Sequence, residues 1–217
     1  MNTRKLVNFF FKTLFIGTIA GLVTSFFVKA EDYALVLNPF DFMGIAGFLL
    51  FFIGLGLVFA AVSQMGFFAH LFLNRLGLGL FRSYWPTVQV VLIAFVVFDL
   101  VYFPYQATEG EVSVLWYMLM AAAILGYGLL IAWIKAKETK PRAFIPALFL
   151  MVVMTTIEWI PGMRTEGTDY AWLMIIPLLA CNTYQLLKLH RLHETDSDQA
   201  ATARENNPSK KANPKKA

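Results

Sequence analysis

The chain reads as an all-α polytopic membrane protein, a six-transmembrane-helix bundle followed by a disordered C-terminal tail. Three observations predict that class. Of its 217 residues, 58% are hydrophobic and only 15% charged, where a soluble domain has roughly 45–50% and about 25%. The apolar residues gather into runs of about 18 or more, each long enough to cross a hydrocarbon core of roughly 30 Å at about 1.5 Å per residue. Polar residues collect between those runs and in the last stretch of chain.

Spans are expected at about 6–28, 42–72, 86–103, 114–134, 143–160 and 170–189, so that 1–189 form one membrane domain and 190–217 the tail. The first follows Arg4 and Lys5 and carries Lys12, whose stem reaches the interface. Its Gly17 and Gly21 form a GxxxG that admits a close helix neighbour. Val28-Lys29-Ala30 loosely resembles a signal-peptide cleavage site, but the long apolar region and Lys12 favour an uncleaved span. Lys29 to Asp41 reads as an acidic loop. In the second span Gly47, Gly54 and Ala61 recur every seven residues, a small-residue seam for close packing.

A polar elbow from Arg75 to Tyr84 then turns the chain through Gly77 and Gly79, whose missing side chains permit unusual backbone shapes. Trp85 and Pro86 open the third span, which carries Asp99 and ends at Pro104. A basic link from Lys135 to Arg142 follows the fourth span. The fifth carries Glu158 and stops at Pro161, and Pro177 predicts a kink in the sixth. From His190 onward too few apolar residues remain to bury, which predicts disorder.

Charge sets the expected orientation. With the N-terminus inside, Arg4, Lys5, Arg75, Arg82, Lys135, Lys137, Lys140, Arg142, Lys188 and Arg191 are cytoplasmic, and only Lys29 and Arg164 face outward. Both termini are therefore expected in the cytoplasm of a cell-membrane protein. A net charge of +4 suggests nucleic acid in a soluble protein; here the bases sit where membrane orientation wants them, and the bilayer is the expected partner. The single Cys181 allows no intramolecular disulfide and no cysteine metal site.

An ionised carboxylate at mid-bilayer costs about 2.5 kcal/mol or more on insertion scales, so Asp99 and Glu158 ask for an explanation. Both lie toward the outer ends of their spans, and the simplest reading lets them reach interfacial water. The functional reading puts them in a shared outer pocket, with Arg164 as counter-ion, binding a ligand or a partner helix. Val88, Leu92, Phe95, Asp99 and Tyr102 share one helical face, as do Met151, Thr155 and Glu158, and both faces are expected to look inward. Gln64, Gln89, Asn182 and Gln185 read as interhelical hydrogen-bond partners, and Cys181 as a small packing residue.

The enzyme motifs sought are missing: His190-x-x-His193 lacks the HExxH pattern, and no GxSxG, Walker or kinase run occurs. Ser63 and His70 share a helix face but stand about 10 Å apart along it, too far for a proton-transfer pair. No catalytic residue, metal ligand or cofactor is assigned. Candidate contacts for a partner or ligand are Gln64, Arg75, Arg82, Asp99 and Glu158.

The stretches SQMGFFAHLFLNRLGLGLFRS, VQVVLIAFVVFDLVYF, LFLMVVMTTIEW and PLLACNTYQLL resemble the KinB-signalling pathway activation protein family, KbaA, of spore-forming Gram-positive bacteria. The resemblance covers roughly Arg4 to Leu189. It implies an integral membrane protein, without catalytic activity of its own, that a membrane sensor histidine kinase of the KinB type requires to feed phosphate into the sporulation phosphorelay. A helper that binds one kinase packing about tenfold better contributes roughly 1.4 kcal/mol, enough to move a balanced switch. The alternative class is a small membrane carrier or ligand-binding protein that uses its intramembrane carboxylates.

Overall fold

The computed structural model describes residues 3–38, 40–108, 112–163 and 168–205, with side chains in the last stretch from 169 to 189. These residues are helical throughout apart from short connections, with no strand among them: α1 (Thr3–Val28), α2 (Ala30–Leu37), α3 (Phe42–Phe81), α4 (Trp85–Ala107), α5 (Val114–Glu138), α6 (Phe144–Phe149), α7 (Thr155–Met163) and α8 (Thr168–Glu205). Single 3₁₀ turns at Arg82–Tyr84 and Pro141–Ala143 precede α4 and α6, and a π-helical segment, Leu150–Met154, joins α6 to α7. Five helical runs are long and apolar enough to cross a membrane: Thr3–Val28, Phe42–Ala107, Val114–Glu138, Pro141–Met163 and Asp169–Leu189.

The run Phe42–Ala107 has 66 residues, which unbroken would extend about 99 Å, some three hydrocarbon thicknesses. It is broken at Arg82, whose φ of 50° and ψ of −118° make it the one non-glycine residue with positive φ among those described. The indole of Trp85 donates to Asn74 Oδ1 at 2.8 Å and stacks on Phe81. In a straight helix Trp85 and Asn74 would be about 16 Å apart along the axis, so the hydrogen bond requires the chain to fold back. The result is two apolar segments, giving the six that hydropathy predicts.

The turn is sharper and later than the glycines suggest. α3 continues through Gly77 and Gly79 to Phe81. Gly77 instead leaves room for the Trp85 ring, which a Cβ there would strike, while Gly79 faces open space. Two prolines expected to end spans are absorbed, because α4 runs through Pro104 to Ala107 and α7 through Pro161 to Met163. Within the expected Lys29–Asp41 loop lies α2, held by Tyr33, which packs against Phe26 and Phe48 and hydrogen-bonds Ser25. The backbone of α8 stays helical past His190, where composition predicts disorder, as far as Glu205; 206–217 lie outside the described residues.

At the centre α1, α3 and α8 pack closely. Apolar helices in lipid gain little from excluding water, so backbone approach and van der Waals contact decide their packing. Gly21 meets Gly56, where an added Cβ would come within 2.9 Å of the facing Cα, and Gly17 meets Ala60 and Cys181. The close seam on α3 is therefore Gly56 and Ala60. The predicted seam of Gly47, Gly54 and Ala61 is exposed, with nothing within 4 Å of a Cβ at either glycine. α4 is likewise rotated from its predicted face: Trp85, Gln89, Ile93 and Leu100 point inward, while Phe95 and Tyr102 are exposed.

At one end of the bundle Lys29 donates to Asp169 at 2.8 Å and pairs with Asp32 at 3.5 Å. The hydrogen bond to Asp169 holds the Lys29 ammonium above the usual lysine value. At the other end, near the Arg82 turn, the buried Lys135 donates to the Leu186 carbonyl at 2.7 Å and ties α5 to α8.

Candidate interhelical polar site

Three spans each bring a pair of small or polar residues three apart to one level of the bundle: Ser63 and Gly66 on α3, Thr155 and Glu158 on α7, Asn182 and Gln185 on α8. That spacing places both members of a pair on the same helix face. Ser63, Thr155, Asn182 and Gln185 are fully buried, and Glu158 is 7% exposed.

Their hydrogen bonds form a directed chain. Gln185 Nε2 donates to Ser63 Oγ at 3.2 Å, and Ser63 Oγ to Asn182 Oδ1 at 2.7 Å. Asn182 Nδ2 then donates to Thr155 Oγ1 and to Glu158 Oε2, each at 2.9 Å. Thr155 Oγ1 passes its hydrogen to the Leu150 carbonyl at 3.1 Å.

The π segment explains that last bond. In it a residue pairs with the carbonyl five back rather than four, and the Thr155 N–H also reaches the Leu150 carbonyl. All five residues from Leu150 to Met154 are buried, so the widened turn sits in the bundle core and aims Thr155 and Glu158 at α8. Glu158 Oε1 packs against Gly66, where a Cβ would overlap the carboxyl.

The predicted contact residues are not gathered into one place. Glu158 is enclosed in this network instead of reaching interfacial water. Asp99 is half-buried on α4, with no hydrogen bond or ion pair among the described residues, and the hydrogen bonds of the Glu158 network do not reach it. Arg164, the proposed counter-ion, lies outside the described residues. Gln64 Nε2 donates to the Phe10 carbonyl of α1 at 3.2 Å and lines an apolar groove of about 380 Å³ with Leu6, Phe10 and Phe68. Arg75 and Arg82 are exposed at the α3–α4 turn.

Of the other amides, Asn182 and Gln185 are interhelical partners as expected, whereas Gln89 is fully buried with neither amide atom paired. Gly66 was not singled out from the sequence. The signal for the network was the recurrence of small or polar pairs three apart on three spans, which hydropathy averages away.

A model of the KbaA family, described as KinB-signalling pathway activation in sporulation, matches residues 17–192. The KinB-signaling pathway activation protein of Bacillus subtilis (strain 168) is 39% identical over 193 residues, covering 87% of this chain and 97% of that protein. No solved structure matches. With most of its length matched by the family model, and a relative covered nearly end to end, the chain belongs to the KbaA family of KinB-signalling pathway activation in sporulation.

Proposed function

We propose that the chain is an integral membrane activator of a sensor histidine kinase of the KinB type, acting by helix or loop contact to feed the sporulation phosphorelay. The observation that carries this reading is the 39% identity to the Bacillus subtilis KinB-signaling pathway activation protein along 97% of its length. The family's role points to a signalling activator and not an enzyme. Both termini are cytoplasmic in this reading, because Arg75, Arg82, Lys135, Lys137, Lys140, Arg142 and Lys188 then fall on the inner side. The apolar outer surface of the bundle, with Phe51 62%, Phe72 69% and Phe95 58% exposed, suits contact with lipid or with a partner's helices.

Photocrosslinking in cells tests the contact, with the probe at Arg82 in the turn and at Gly54 and Phe95 on exposed helix faces. Crosslinks to the kinase from any of these positions are expected. Abundant, signalling-competent protein that gives no kinase crosslink overturns direct contact. Cysteine accessibility at Lys29 and Lys140 from outside intact cells tests the orientation, with only the first expected to react.

A further inference from the structure

We infer that Glu158 is an intramembrane proton-binding site whose occupancy governs how α7 seats against α3. The inference stands on the geometry of the network and is independent of the kinase reading.

The hydrogen bonds between the three spans form one relay that ends on α7. Gln185 supplies Ser63, Ser63 supplies Asn182, and Asn182 supplies both Thr155 and Glu158 Oε2. Thr155 spends its own hydrogen on Leu150. Among the described residues, Glu158 Oε1 is buried and receives none, and no cation is bonded to it. The elements packed on α7 are α8, the π segment and α3. Their titratable groups near this level are Cys181 of α8, whose thiol points to the Thr13 carbonyl, Tyr184 of α8, whose ring stacks on Phe9, and His70 of α3, whose ring lies on Phe149. The π segment, Leu-Met-Val-Val-Met, has no titratable side chain.

A carboxylate at this place would be a buried negative charge with one donor, from a side-chain amide. Such a charge is costly in the bilayer, and a buried acceptor left unpaired adds to the cost. One proton on Oε1 removes the charge and leaves the Asn182 bond intact. The reaction is the uptake of a proton from water by the carboxylate, with no other bond made or broken.

Gly66 gives this chemistry a mechanical consequence. Its backbone closes the side of the network that Oε1 faces, at a distance that leaves no room for a methyl group. A deprotonated Glu158 can be solvated from that side only if α7 moves away from α3. Proton loss and separation at Gly66 are thus one event.

Infrared difference spectroscopy on the full chain in lipid reads the proton directly, as the carbonyl stretch of an un-ionised carboxylic acid. The wild type should show such a band, Glu158→Gln should lose it, and Asp99→Asn should keep it. A label on α3 near Gly66 should report opening at the pH where the band disappears, and Glu158→Gln should show no opening over the same range. The inference is overturned if wild type and Glu158→Gln have the same carboxylic band at every pH. It is also overturned if, at constant pH, sodium shifts the melting temperature of the wild type and not of Glu158→Gln, which would make the site one for a metal cation.

Discussion

The Glu158 carboxyl and Gly66 fit against each other so closely that α3 has space for a hydrogen atom, and for nothing larger, where it crosses α7. The acid and the glycine are two halves of one contact.

Gly66→Ala should therefore destabilise the bundle by about 1–3 kcal/mol, the usual cost of overfilling a packed site. Melting in detergent checks this. In the double variant with Glu158→Ala the penalty should shrink, because residues in contact are non-additive.

The seam between α1 and α3 makes an opposed pair of predictions. Gly56→Val should cost several kcal/mol, since a Cβ at Gly56 already comes within 2.8 Å of the Thr18 Cα and 2.9 Å of the Gly17 carbonyl, and backbone cannot step aside as a flexible side chain can. Gly47→Ala and Gly54→Ala meet nothing and should stabilise by about 0.5–1 kcal/mol each through helix propensity. A melting series across the four proteins separates the two faces of α3.

Arg82 holds a backbone conformation that side chains resist. Arg82→Gly should raise stability by about 1 kcal/mol, the relief of positive-φ strain less the entropy that glycine adds to the unfolded chain. Arg82→Ala keeps the strain and should not gain. Charge reversal, Arg82→Glu, tests the side chain separately: reduced kinase signalling at unchanged membrane abundance is expected if the turn touches the kinase.

The bond between Lys29 and Asp169 ties the connection after α1 to the start of α8, but its partners are 31% and 51% exposed. Lys29→Ala should cost under about 1 kcal/mol. Because Asp169 holds the ammonium above its ordinary value of 10.5, the contribution is complete below that pH and is lost as pH rises through the raised folded value. The melting difference between wild type and Lys29→Ala should vanish there.

Hydropathy made the apolar segments legible because a segment's mean polarity reports where it sits, whatever its neighbours. It did not locate the turn, since Gly77 and Gly79 permit a bend without requiring one, and the Trp85–Asn74 bond that fixes its place is tertiary. Pro104 and Pro161 mislead for a related reason: a proline frees one carbonyl of the preceding turn, and in an apolar bundle neighbouring helices and small local adjustments re-satisfy it, so the helix continues. The small-residue pattern on α3 offers two stripes, and which one meets α1 depends on where Gly17 and Gly21 dock. Glu158 announced itself as an anomaly, yet its partners Asn182 and Gly66 are ordinary residues 24 and 92 positions away, and their convergence depends on a widened turn that no periodicity in the apolar run Leu148–Met154 marks.

That widened turn makes the fifth apolar segment, Pro141–Met163, a helix in two phases. An α-helix advances about 100° per residue, and the π segment absorbs one residue beyond what an α-helix would use. Closing this turn to α-helix with all its residues kept would leave hydropathy and length sufficient for a span, while rotating Thr155 and Glu158 by about 100° relative to Phe144–Phe149. Asn182 would then face apolar side chains. The segment works as a phase key: it lets one half of the span pack by its shape against α4 and α5, while the other half meets α3 and α8 by its polarity.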